Sequence, residues 1–267
     1  MNYLVIKCGG SVFEELPATF YQNIVELNKQ SDCKPVIVHG GGPKISAMLE
    51  KSGVETTFVD GLRVTTEDVL DVVEMTLSGS MNKAIVRKLA TAGGQAYGIS
   101  GVDGGLLQAV PATSSTKLGF VGEVSEVNES VIQQVAAQGF IPVISPLGMD
   151  KNGQRYNINA DTAAAAIAEA LEAKLCFISD IPGIYQEING EKVTLEQVTK
   201  QEAETLIDTK VIQGGMIPKV RAALKALSQG IPEAAIVNGM EANSLTDYVE
   251  GKKAGTKIIL EKEVRHV

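Results

Sequence analysis

The sequence is poor in the residues that proton-transfer and metal chemistry usually draw on. Its 267 residues include two histidines, His39 and His266, and three cysteines, Cys8, Cys33 and Cys176. No His/Cys cluster has metal-ligand spacing, so a resident metal centre has no obvious ligand set. The cysteines are odd in number, scattered and without Cys-x-x-Cys spacing, which fits packing in a reducing cytoplasm. Neither histidine begins a protein-kinase His-Arg-Asp, and no Gly-x-Ser-x-Gly marks a nucleophilic serine. Both the P-loop pattern Gly-x-x-x-x-Gly-Lys-[Ser/Thr] and the dinucleotide fingerprint Gly-x-Gly-x-x-Gly are missing. The second absence weighs against a nicotinamide-dependent oxidoreductase.

Basic runs are missing too. Lys and Arg number 24 against 32 Asp and Glu, a net charge of −8, which argues against an electrostatic grip on nucleic acid or an anionic membrane. The longest uncharged stretch, 130–149, contains Gln133, Gln134, Gln138, Gly139, Pro142 and Pro146, and reads as a helix followed by a strand rather than a membrane span. The N-terminus carries neither a basic leader nor a small-residue cleavage site, and a cytoplasmic location is expected.

What is present is ordinary for a globular chain: 44% apolar and 21% charged residues, enough for one large domain or two joined lobes. Short β-branched runs alternate with helix-patterned segments throughout. Leu4–Ile6, Val36–Val38, Ile141–Ile144, Leu175–Ser179 and Ala234–Val237 read as buried strands. Helices are expected after Pro17 and after Pro43, and a long one from a Thr66 cap to about Ala92. An alanine-rich helix to about Leu171, one capped by Thr199 and Glu202, and one after Gly214-Gly215 follow. Asp60-Gly61 marks a hairpin between Thr57–Val59 and Leu62–Val64. The alternation predicts an α/β fold, a three-layer α/β/α sandwich around a mostly parallel open sheet.

In such a sheet, ligands bind beyond the carboxyl ends of strands. Lys7-Cys8-Gly9-Gly10-Ser11 leaves the first strand and His39-Gly40-Gly41-Gly42-Pro43-Lys44 leaves the second. Both loops offer backbone amides to an anion, and the first adds a lysine. The scarcity of general bases suits phosphoryl transfer to a carboxylate, which at a pKa of about 4.3 is already ionised at neutral pH. That reaction needs positive charge and amide donors around an anionic γ-phosphoryl group, with the reactants held in line. Lys7, Gly9, Gly10, Gly41, Gly42 and Lys219 are suitable parts, with Asp161 able to orient the two lysines. His39 reads as structural or positioning, and Lys44 and Lys83 as ordinary surface or support lysines.

Assembled in order, these segments resemble the acetylglutamate kinase branch of the amino-acid kinase family. The resemblance rests on Val5–Ser11, Val38–Pro43, Phe58–Thr65, Leu77–Lys83, Gly98–Gly104, Asn157–Asp161, Ser179–Ile184 and Gly214–Val220, and covers essentially the whole chain. It implies transfer of phosphate from ATP to the γ-carboxylate of N-acetyl-L-glutamate, a step of arginine biosynthesis, with kinases of free glutamate or aspartate as the alternative. By the family pattern, Lys7 and Lys219 stabilise the transferring group and Asp161 organises them. Gly41 and Gly42 donate amides near the reacting carboxylate, Arg63 clamps the α-carboxylate and Asn157 holds the α-substituents. The nucleotide is expected near Gly9, Gly10, Asp180, Gly183, Tyr185, Val211 and Gly215, with Mg²⁺ carried by ATP and no protein metal site. A single kinase domain is implied, with an acetylglutamate-binding and dimerisation lobe over 1–173 and an ATP lobe over 174–267. With the first strand beginning by about Tyr3, the resemblance also implies an arginine-insensitive homodimer, with the helix over 69–89 at its interface.

Overall fold

The structure is a computed structural model that describes residues 2–30, 33–113, 115–188 and 191–260. Eight strands form its main sheet: β1 (Asn2–Cys8), β2 (Cys33–His39), β3 (Ala96–Ser100), β4 (Ile141–Ser145), β5 (Lys174–Ser179), β6 (Gln197–Thr199), β7 (Ala234–Asn238) and β8 (Thr256–Ile259). Their spatial order is β6-β8-β7-β5-β1-β2-β4-β3. Pairing is parallel from β7 to β3, while β8 runs antiparallel to β7 and parallel to β6. The apolar runs dictate this: β1 and β5 are buried on both faces over nearly their whole length, as strands covered by helices on both sides must be.

Alternate residues of the same strands feed two separate cores. On one face Leu4, Ile6, Ile37, Val143 and Ile178 pack against α1 (Gly10–Glu15), α2 (Ala18–Gln30) and α5 (Asn82–Thr91). On the other, Val5, Val36, Val38, Phe177 and Ile236 pack against α6 (Ala160–Ala170) and α7 (Met216–Ser228). The alanines of α6 explain its place. Ala163, Ala164 and Ala168 carry so little bulk that the helix approaches β1 and β2 closely, and Asp161 in its first turn reaches the strand ends.

Most expected elements appear, with three differences. The segment from Thr66 is not one helix: α4 (Glu67–Glu74) passes into a π-helical stretch, Met75–Met81, before α5. The short α1 precedes the helix expected after Pro17. The middle of the chain closes on itself as a four-stranded barrel of Leu107–Pro111, Val121–Val127, Leu147–Met149 and Arg155–Ile158. This barrel carries Asn157 to the carboxyl end of the main sheet. The Asp60-Gly61 hairpin forms as expected, with both residues at positive φ (50° and 79°), the conformation of the tight turn that matches strand twist.

Candidate active site

The sheet changes direction of growth at the β1–β5 boundary: β2 follows β1 on one side, and β7 follows β5 on the other. Crevices at such points are where open α/β sheets bind ligands. Here the loops after β1 and β2 meet backbone to backbone. A Cβ at Gly10 would lie 2.5 Å from Gly41 Cα, so glycine is a steric requirement there, whereas one at Gly41 would lie 2.6 Å from Leu77 Cδ2 and require that side chain to move aside. Around these loops lies a cavity of about 230 Å³. It is lined by Lys7, the three glycines 40–42, Arg63, Asn157 and Asp161, with apolar walls from Phe58, Leu62 and Leu77.

Lys7, the last residue but one of β1, is almost fully buried, and its Nζ sits 2.7 Å from Asp161 Oδ1. Asp161 is held in the first turn of α6, whose N-cap, Asn159, accepts hydrogen bonds from the amides of Asp161 (2.9 Å) and Thr162 (3.2 Å). The neighbouring asparagines thus divide their tasks. Asn159 caps the helix, while Asn157 donates from Nδ2 to Thr65 Oγ1 at 3.1 Å and faces the cavity. Lys219, in the first turn of α7, donates to the Gly215 carbonyl at 3.1 Å. Burial and the charge of Lys7 pull its pKa down, while Asp161 and Asp180 hold it up, so the two lysines and the two carboxylates share one electrostatic field.

Arg63 leaves the hairpin strand and enters the cavity wall, 7% exposed. Its guanidinium donates to Thr56 Oγ1 (3.0 Å), the Gly42 carbonyl (3.2 Å) and Ser46 Oγ (2.8 Å), and stacks 4.7 Å from the Phe58 ring centroid. All of these partners are neutral, and burial lowers its pKa from the ordinary arginine value. A fixed guanidinium in this state is a site for an anion. The amides of α3 (Gly42–Lys51) point the same way: Gly41 caps this helix without a side-chain bond, so the first-turn donors are available to a ligand.

The nucleotide residues expected from the sequence lie apart from this cavity, except Gly10. Asp180 follows β5 and is exposed; Gly183 is buried at φ 145°, where a Cβ would strike Thr256; Tyr185 is half-buried. Val211 and Gly215 are exposed on a shelf beside the start of α7. Among the described residues, no group of three or more His, Cys, Asp or Glu is arranged to hold a metal ion, and no helix is long and apolar enough to cross a membrane. Sequence reasoning missed Phe58 and Leu77 as cavity walls and Asn82 as a buried polar residue behind the glycine loop. Only the exposed position of Phe58 on a hairpin beside Arg63 could have hinted at the first of these.

Comparison with known proteins agrees with the geometry. The model of the amino acid kinase family matches residues 2–238. An acetylglutamate kinase of Oceanobacillus iheyensis is 48% identical over 267 residues, all of both chains. Another, from Geobacillus stearothermophilus, is 50% identical over 256 residues, covering 96% of this chain and 95% of its own. A Streptococcus mutans protein of solved structure superposes with a TM-score of 0.82 at 31% identity, over 97% of this chain and 99% of its own. The chain belongs to the amino acid kinase family.

Proposed function

We propose that the protein is an ATP-dependent kinase that phosphorylates the γ-carboxylate of N-acetyl-L-glutamate, giving N-acetyl-L-glutamyl 5-phosphate and ADP. The observation that carries this reading is Arg63: a nearly buried guanidinium with only neutral partners, in one cavity with Lys7, Asp161 and the Gly41–Gly42 amides. That arrangement suits a small substrate bearing two carboxylates, one clamped by the planar fork and one facing the lysine. Full-length relatives named acetylglutamate kinase support the identity of the acyl group.

The acceptor is ionised at neutral pH, so no general base is required. The barrier is the approach of one anion to another. Lys7 and Lys219 offset the charge on the transferring phosphoryl group, and Asp161 beside Lys7 keeps that ammonium pointed at it. Gly41 and Gly42 donate amides to the attacking carboxylate, Arg63 holds the α-carboxylate and Asn157 the acetamido side. ATP lies over Gly9, Gly10, Asp180, Gly183, Tyr185, Val211 and Gly215, bringing Mg²⁺ on its phosphates. Residues 1–173 serve the acceptor and a homodimer contact through the helical run over 69–89; residues 174–267 serve the nucleotide, in the cytoplasm. Light scattering should give a mass near twice 28.2 kDa.

The decisive experiment is hydroxylamine trapping with Mg-ATP and N-acetylglutamate, glutamate or aspartate, with ADP release followed in parallel. Hydroxamate from N-acetylglutamate alone is the expected result. Preference for free glutamate or aspartate would overturn the acetamido assignment while leaving the lysine roles standing.

A further inference from the structure

Behind the glycine loop runs a line of polar groups that the proposed chemistry does not use. His39 ends β2 fully buried, and Asn82 opens α5 fully buried. His39 Nδ1 lies 3.1 Å from the Gly40 carbonyl, and its Nε2 lies 3.3 Å from Asn82 Nδ2. Asn82 Nδ2 also faces the carbonyls of Val143 (2.8 Å) and Ile99 (3.2 Å), while its Oδ1 accepts from Lys83 Nζ at 3.0 Å. Lys83 Nζ in turn donates to the Gly98 carbonyl at 2.8 Å. Gly98 has no room for a side chain, because a Cβ there would overlap Asn82 Oδ1.

Donor and acceptor roles along this line admit one assignment. An ammonium only donates and a carbonyl only accepts, so Oδ1 faces Lys83 and Nδ2 faces the two carbonyls and the imidazole, its two hydrogens shared among three acceptors of which the imidazole, at 3.3 Å, is the farthest. The ring is neutral in the fold: burial, and then the Lys83 charge, push its pKa down to about 4, against which the Gly40 bond pulls only partly upward. One hydrogen therefore sits on the ring. The Gly40 carbonyl can only accept, so that hydrogen is on Nδ1, and the bare Nε2 faces the Asn82 amide, whose two hydrogens it shares with the Val143 and Ile99 carbonyls. The Gly40–Gly41 peptide is planar and trans, so its N–H points opposite to its carbonyl. The Gly40 amide itself donates to the Cys8 carbonyl at 3.0 Å, which ties the loop at its other edge.

We propose that His39 is a positioning residue. Held in one tautomer by Asn82, it fixes the Gly40 carbonyl through Nδ1–H and thereby aims the Gly41 N–H away from the core, toward the acceptor. The inference rests on the reading above that Gly41 serves the reacting carboxylate. Its direct test needs no substitution in the line itself. With ¹⁵N-labelled histidine the protein carries only two labelled side chains, and a His266→Gln control identifies the other signal. His39 is expected as the Nδ1–H tautomer across about pH 5 to 8. An Nε2–H tautomer, or titration near the ordinary value of about 6.5, would overturn the proposal. In Asn82→Asp the carboxylate accepts from the ring, so Nε2 should gain a hydrogen; if it stays bare, Asn82 does not set the tautomer.

Kinetics separate positioning from packing. In His39→Asn the side-chain amide can occupy the place of Nδ1 and still donate to Gly40, whereas in His39→Gln the donor reaches toward Asn82 instead. We expect kcat to fall about threefold in the first and about thirtyfold or more in the second, with the KM for ATP unchanged in both, a loss below that of deleting an oxyanion donor outright. Equal losses in the two folded variants would reduce His39 to a packing role. Failure of the underlying site reading shows elsewhere, as normal turnover in Lys7→Ala.

Discussion

Arg63 shows what a single side chain can specify. Its three hydrogen bonds and the Phe58 ring hold the fork still before any substrate arrives, so little entropy is left to lose on binding. Lysine at this position would keep the charge and lose the planar, two-pronged geometry. Arg63→Lys should therefore raise the KM for the acceptor by ten- to a hundredfold, about 1.4–2.7 kcal/mol, with a smaller effect on the KM for ATP. Equal changes in both constants would detach Arg63 from the acceptor. His39 supports a second prediction at this scale. The folded ring holds out against protonation until about pH 4, while in the unfolded chain it protonates near 6.5. Above pH 6.5 neither state takes up the proton, and the ring adds no pH dependence. Below it the unfolded state gains a proton that the native state refuses, so stability falls as the pH drops toward 4, by about 3 kcal/mol in all. Urea midpoints measured across that range should fall, and the fall should be shallower in His39→Asn. The same slope in both proteins would assign the loss to carboxylates.

At the scale of elements, the site depends on two glycine loops touching each other and on the π-helical stretch that brings Leu77 against Gly41. Gly10→Ala would put its methyl into the backbone of Gly41, where no rotamer change relieves the clash, and should cost about 1–3 kcal/mol of stability and at least tenfold in kcat. Gly42→Ala meets open space and should leave the melting temperature unmoved. A Gly10→Ala enzyme with full activity would mean that the loops can separate without harm. Much of this level was legible in the sequence, because apolar period and glycine punctuation carry strands and turns directly: β1, β2, β4, β5 and the Asp60-Gly61 turn lie where the pattern puts them. The π stretch was not, since Val69, Val72, Val73 and Leu77 follow a helical period whether or not an extra residue is later fitted in. Nor was the closed barrel, whose strands pair residues 6 to 41 positions apart. Lys83 read as a surface lysine, and by exposure it is one; only the fold reveals that it orients Asn82.

For the molecule as a whole, the residues proposed for the two substrates form surfaces of different character. The cavity of about 230 Å³ lies below the ~300–1,000 Å³ usual for drug-sized ligands, a size that suits a small acyl amino acid better than one together with a nucleoside triphosphate. Its walls come from the hairpin 58–63, the π stretch and the barrel, all within the first 173 residues. The shelf beside Asp180, Val211 and Gly215 is exposed, and its elements belong to the remainder of the chain. The two halves share one sheet through β1 and β5; Lys7 pairs with Asp161 at 2.7 Å, and Lys219 lies within the field of both. Hydrogen exchange should therefore resolve two footprints. N-acetylglutamate alone should protect amides of 40–46 and 58–65, where Arg63 links the hairpin to α3, with little change over 209–219. A non-hydrolysable ATP analogue alone should protect 180–185 and 209–219. With both present, the loops 9–11 and 40–42, where the phosphoryl group passes, should gain protection beyond the sum of the two. If the acceptor alone protected 209–219 as strongly as the nucleotide, the acceptor would occupy the shelf, and the division of labour along the chain would be wrong.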